Sequence, residues 1–174
     1  MPTVHMVAGP IGAGKTTTAR RIAEEHRAVR FSLDEWVMQL FAGEAPHPMV
    51  FEWWAERCSR CRERIWSLCS NLAAKDVDVV LDFGFPELAQ REECRARAAQ
   101  IGAAVHLHVV DADAVLRWQR VQGRNRQRGD TFALVVTEHM FAASELWWQP
   151  PTSAELSGAI TLHASTAPAS DPVR

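Results

Sequence analysis

Gly9-Pro10-Ile11-Gly12-Ala13-Gly14-Lys15-Thr16 is the stretch that decides the fold. It fits Gly-x-x-x-x-Gly-Lys-Thr at every fixed position. Glycines let backbone N–H groups turn inward around phosphate oxygens. A helix opening near Lys15 adds the positive end of its dipole. Lys15 then reaches the β- and γ-phosphates of a nucleotide, and the Thr16 hydroxyl ligates Mg²⁺. The nucleotide site is therefore read as Gly9, Pro10, Ile11, Gly12, Ala13, Gly14, Lys15, Thr16 and Thr17, with ATP and Mg²⁺ as cofactors. The competing reading is a glycine-rich turn that holds no ligand.

Outward from this loop, strand-like and helix-like segments alternate. Thr3 to Ala8 is a short apolar run ending at Gly9, the pattern of a buried parallel strand. Lys15 to His26 has helical spacing, and Ala28 to Phe31 is a second strand. Asp34 to Phe41 predicts a short helix. Phe51, Trp54, Cys58, Cys61, Ile65, Leu68 and Leu72 form an apolar stripe over six turns. Val77 to Leu81 predicts a third strand ending at Asp82. Pro86 to Ile101 predicts a helix, Ala104 to Val110 a strand, and Asp113 to about Arg124 a helix. Thr137 to Trp147 predicts a further helix, Ala159 to Leu162 a fifth strand, and residues 163–174 a flexible tail. Residues 1–162 read as one domain. Right-handed crossovers then give a parallel sheet covered on both faces. Ligands bind such sheets at the carboxyl ends of the strands. Gly9, Asp34, Asp82 and Asp111 all fall on that rim.

The chain has 174 residues, 47% apolar and 23% charged, with a net charge of −2. That charge is not the footprint of a protein gripping long duplexes, so nucleic acid is not expected beyond a strand end. The apolar runs are too short to span a membrane. No cationic segment precedes an apolar one at Met1–Met6, so a cytoplasmic protein with reduced thiols is expected.

Three groups of residues carry candidate chemistry. Asp34 beside a γ-phosphate can take the proton of an attacking hydroxyl, or it can merely cap the helix that starts there. Asp82 ends its strand where an acid orients magnesium, so Thr16 and Asp82 are the metal candidates. Arg120, Arg124 and Arg128 can form a mobile lid, about residues 120–131, that stabilises charge on the phosphoryl oxygens. A solvated basic helix face is the alternative for these arginines, and Arg117 can be only that. Asn125 and Gly129 suit a bend there.

These pieces resemble the P-loop kinases of the polynucleotide-kinase, zeta-toxin-like and chloramphenicol-phosphotransferase-like group. The matching residues are Gly9–Thr16, Ser32-Leu33-Asp34, Val80-Leu81-Asp82-Phe83-Gly84-Phe85, Arg120, Arg124-Asn125 and Arg128-Gly129, with Thr131-Phe132 and Pro150-Pro151 later. The resemblance implies a three-layer α/β fold: a five-stranded parallel sheet in the order 2-3-1-4-5, helices on both faces and a small arginine-rich lid. It also implies that Asp34 is the general base and that the lid arginines clamp phosphates. Two positions depart from the group. Val37 stands where polynucleotide kinases carry an arginine that reads the substrate's phosphate. Glu87 follows Gly84-Phe85-Pro86 where adenylate kinases place an arginine for the acceptor nucleotide. Both departures remove phosphate readers.

The expected activity is transfer of the γ-phosphate of ATP to a hydroxyl of a small molecule: an antibiotic, sugar or nucleoside-like alcohol. A polynucleotide 5′-hydroxyl kinase, or a nucleotide-binding ATPase or regulatory protein, is the alternative. Ser32, Trp36, Trp53 and Phe83 are the candidate acceptor contacts, with core packing as the alternative for both tryptophans. Cys58-x-x-Cys61 lies on the apolar stripe and has no second pair at ligand spacing, so it reads as core rather than zinc site.

Overall fold

Strand β1 (Thr3–Ala8) sets Val4, Met6 and Ala8 on one face and His5 and Val7 on the other, and all five are buried. A strand buried on both faces needs a helical layer on each side. On one side, α1 (Lys15–His26) covers Val7 and Val80 with Ala19 and Ile22. On the other, α3 (Phe51–Ala73) and α4 (Leu88–Gln100) cover Val4, Met6 and Leu81 with Cys58, Cys61, Ile65, Cys94 and Ala98. The remaining strands are β2 (Val29–Ser32), β3 (Val79–Gly84), β4 (Ala104–Asp111) and β5 (Ile160–His163). The computed structural model describes residues 1–47, 49–129, 132 and 134–163. Among them the sheet runs β2-β3-β1-β4-β5 with every pairing parallel. The expected α/β architecture, a parallel sheet with helices on both faces, is thus observed. Of the expected tail 163–174, His163 instead ends β5; residues 164–174, and Asp130 and Thr131 of the expected lid, lie outside the described residues.

Several boundaries differ from the sequence reading for local reasons. Helix α2 (Leu33–Phe41) starts directly after β2, with no intervening loop. Asp34 therefore sits inside its first turn, not at the cap position. Ser32 occupies the cap position and makes no capping bond. Strand β3 does not end at Asp82: Asp82 pairs with Ser32, and the strand continues to Gly84. Met6 pairs with Leu81 but Ala8 with Gly84, so β3 carries one extra residue there. Such a bulge re-aims side chains beside functional sites.

Helix α5 (Ala114–Gln127) also runs further than expected, through most of the arginine segment. Asn125 makes no bend. Its side chain donates to the Val136 carbonyl at 2.8 Å and accepts from the Val136 N–H at 3.2 Å, clamping the segment before α6 (Glu138–Trp147) onto α5. Thr137 caps α6 by accepting from the Met140 N–H, and Asp113 caps α5 in the same way from Val115. A short helix, α7 (Ser153–Leu156), was not expected, although Thr152-x-x-Glu155 closes a full capping box. Glu155 also meets Arg91, which is fully buried in α4.

Candidate active site

The phosphate loop leaves β1 at Gly9 and enters α1 at Lys15. Two of its glycines are dictated by close approach. A Cβ on Gly9 would lie 2.1 Å from the Val110 carbonyl oxygen. On Gly12, whose φ is +81°, it would lie 2.6 Å from the Arg117 carbonyl oxygen. Ala13 is buried against Val7 and Val110, which anchors the loop to the sheet. The Lys15 ammonium donates to the Pro10 carbonyl at 2.8 Å, so the side chain folds back over its own loop.

Opposite Lys15 stand the two carboxylates. Asp82 is buried in β3 and receives hydrogen bonds from the Thr16 side chain and from Arg30 of β2, the latter at 3.1 Å. Arg30 also holds Glu35 through two bonds of 2.8 and 2.6 Å. Sequence reasoning missed this Arg30–Glu35 brace. Its signal was an arginine in a four-residue strand next to the strand bearing Asp82. Asp34 is open to solvent but lies in the recess shared by Lys15, Asp82 and Arg124. Desolvation within this recess and the like charge of Asp82 raise its pKa, while Lys15 and Arg124 pull it down. Desolvation also raises Asp82, against the pull of Lys15 and Arg30. Desolvation lowers Lys15, against the pull of Asp82 and Asp34, with Arg124 acting in the same direction as burial. Ionised groups of both signs are thus confined together and incompletely compensated.

The arginines of α5 divide by role. Arg117 is buried and is no solvated face. It donates to the carbonyls of Ala112 and Ile11 and forms a two-point ion pair with Glu145 of α6. It thereby ties the phosphate loop to α6. Arg120 reaches toward the Ala13 carbonyl at 3.4 Å. Arg124 turns into the recess, where its Nε is buried without a hydrogen-bond partner and its charge is felt by Asp34 and Lys15. Arg128 is exposed beyond the helix end, over the Phe132 ring.

An orphaned guanidinium N–H beside a desolvated ammonium is a pair of donors waiting for an anion. The residues present therefore fit a nucleotide polyphosphate. Thr16 and Asp82, already bonded to each other, are the oxygen ligands that suit Mg²⁺.

The acceptor candidates are less concentrated. Ser32 is buried at the start of α2. Trp36 packs near Phe31 at 6.0 Å between ring centroids, Trp53 lies beneath the Arg57 guanidinium at 4.6 Å, and both rest on the main core. Phe83 stacks on Phe85 and lines a hollow of about 20 Å³ with Trp66 and Arg62. That volume holds about one water, far less than a sugar ring. Val37 is fully buried, so its side chain is out of reach of a substrate. Cys58 and Cys61 lie in the core, where burial pushes the Cys58 thiol up to about 12. Among the described residues, no helix is long and apolar enough to cross a membrane.

The family described as "AAA domain" matches residues 4–150. No curated protein matches the chain. Among solved structures, a candidate kinase from Chloroflexus aurantiacus aligns with a TM-score of 0.72 at 17% identity, over 93% of this chain and 85% of that one. Kti12 from Chaetomium thermophilum, in complex with ADP-AlF3, gives 0.67 at 15% identity over 92% and 88%. A gluconokinase from Sinorhizobium meliloti 1021 gives 0.62 at 12% identity over 95% and 85%. Identities this low carry the fold, a P-loop kinase-like one, and not the chemistry.

Proposed function

The chain belongs to the AAA domain family, and from that premise we propose that it is an ATP-dependent phosphotransferase acting on a hydroxyl of a small molecule. The observation that carries this reading is the placement of Asp34. It is a carboxylate open to solvent, in the same recess as Lys15 and the buried, partnerless Nε of Arg124. A carboxylate that only tuned the nucleotide would gain nothing from standing open beside the phosphate donors, where it opposes an anion.

In the proposed reaction the acceptor oxygen bonds to the γ-phosphorus, the bond to the β-phosphate oxygen breaks, and ADP leaves. Asp34 orients the hydroxyl and takes its proton late, since the transition state is loose. Lys15 and Arg124 meet the charge that builds on the phosphoryl oxygens. Thr16 and Asp82 would hold Mg²⁺, which supplies charge neutralisation at the β- and γ-phosphates. Buried Val37 and the acidic Glu87 support an acceptor without its own phosphate. The net charge of −2 fits this better than an oligonucleotide end.

The test is an ADP-release screen over sugars, nucleosides, aminoglycosides and oligonucleotide ends. The expected result is ADP release stimulated by one class of uncharged or hydroxylated small molecule. Stimulation by oligonucleotides alone, or ATP hydrolysis that no acceptor accelerates, would overturn the reading.

A further inference from the structure

The amino ends of the strands, opposite the phosphate loop, hold a second cluster. His5 is the third residue of β1, His26 ends α1, and Asp78 immediately precedes β3. Helix α1 begins at the phosphate loop and spans 12 residues, so the two sites lie roughly 17 Å apart along its axis. One ligand atom from each of His5, His26 and Asp78 lies within 4.8 Å of the other two.

His5 is 1% exposed and its Nε2 has no hydrogen-bond partner. Its other ring nitrogen, Nδ1, lies 3.0 Å from His108 Nε2. Asp78 Oδ1 accepts the Thr3 N–H at 2.7 Å, and Asp78 Oδ2 faces His5 Nε2 at 3.9 Å, too far for a hydrogen bond. The His5–His108 contact allows either tautomer. With Nδ1 donating to His108, the Nε2 lone pair faces the half-buried Asp78 carboxylate, and a cation between them satisfies both; with the proton on Nε2, the 3.9 Å gap is still too long for a hydrogen bond. We propose that His5 Nε2, His26 and Asp78 Oδ2 bind one zinc-class divalent metal ion.

The chemistry of the set fits. Two borderline imidazoles with one carboxylate oxygen form a donor set suited to Zn²⁺, with water in the fourth position. His108 and the Thr3 N–H are the outer partners that fix the orientation of His5 and Asp78, as in established sites. Tetrahedral coordination sets ligand atoms about 3.3 Å apart. The ligand atoms, within 4.8 Å of one another, must close by at most about 1.5 Å, and the side chain of His26 is exposed and able to swing inward. The same exposure gives the ion its route of entry. A metal here would pin the end of α1 to the starts of β1 and β3, a structural role away from phosphoryl transfer.

The test uses the tag-free full chain without nucleotide, titrated with Co²⁺ as the spectroscopic stand-in for Zn²⁺. The expected result is visible d–d absorption that saturates at one equivalent and is displaced by Zn²⁺. His26→Ala, which removes an exposed side chain, should weaken binding by more than about 100-fold, exceeding the loss typical of an outer partner. Asp78→Asn keeps the acceptor for Thr3 and should weaken it as well. Lys15→Ala should leave it unchanged. Zn²⁺ should raise the melting temperature of the wild type and not of His26→Ala. No d–d bands at one equivalent, bands that survive in His26→Ala, or an intense thiolate-to-cobalt band placing the ion on cysteine would each overturn the proposal.

Discussion

Arg91→Met should cost more stability than any substitution on the exposed face of α4. Arg91 is fully buried and spends its donors on four acceptors. Nε and one amino group hold the Glu155 carboxylate at 2.9 and 3.1 Å. The other amino group holds the carbonyls of Phe85 and Gln149, each at 3.1 Å. Methionine fills much of the volume but leaves these acceptors behind. The strength of the pair shows on Glu155. Hydrogen bonding from Arg91, assisted by the Thr152 N–H and Arg95, lowers its pKa from 4.5 to about 2. That difference corresponds to about 3 kcal/mol of stability at neutral pH. Arg95 still contacts Glu155 at 2.9 Å and would recover part of it. The two stranded carbonyls add to the loss, so about 3–5 kcal/mol is expected, the usual result of breaking a buried pair. Urea unfolding at pH 7 measures it. Because the Glu155 pKa is depressed, its contribution is complete above about pH 4.5 and disappears as pH falls toward 2. Glu155→Gln should therefore flatten stability across that window relative to wild type. A loss under about 1 kcal/mol in Arg91→Met would refute the reasoning. It would mean that α7 and β5 are held by apolar packing instead.

Lys15→Ala should weaken ATP binding and abolish transfer while the melting curve stays near wild type; calorimetry and turnover together check this, and unchanged affinity would contradict it. Arg124→Ala should lower kcat by much more than it raises the KM for ATP, because its contacts strengthen as charge spreads in the transition state. Arg128→Ala should have the smaller effect of the two, since Arg128 rests on Phe132 outside the recess; equal kcat losses would mean that the segment closes fully during turnover. Gly12→Ala should disrupt nucleotide binding, because its Cβ would collide with the Arg117 carbonyl; wild-type ATP affinity in that variant would show that the loop relaxes freely.

The sequence made legible what depends on local pattern. The phosphate loop, β1 and α1 appear where the glycines and the apolar run put them, because close backbone approach leaves few substitutes. Asp113 and Thr137 stand at the start of the two segments read as helices, where a short side-chain oxygen can accept an orphan N–H, and both cap there. Contacts between distant residues were not legible. Nothing near Arg91 names Glu155, and nothing near Arg117 names Glu145. A buried arginine looks like a surface one until its partner arrives from another element. Asp82 was legible as a carboxylate near the end of its strand, but the bulge beside it depends on the register between β1 and β3. The Arg30–Glu35 brace likewise exists because β2 lies beside β3. The arginine run looked like a flexible lid. Helix α5 extends through most of it because Asn125 satisfies Val136 from within the helix.

The most direct test of the account is transfer of radiolabelled γ-phosphate from ATP to the acceptor that the screen identifies, comparing wild type with Asp34→Asn. Asp34 lies in the first turn of α2, where its charge on the helix dipole is worth only about 0.3–1 kcal/mol. Its neighbour Asp82 opposes that charge, so the variant should fold and melt close to wild type. Labelled product should form roughly 10²–10⁴-fold more slowly in Asp34→Asn, with ATP affinity nearly kept. Wild-type transfer by a normally folded Asp34→Asn protein would contradict it and leave Asp34 as a charge on a helix end.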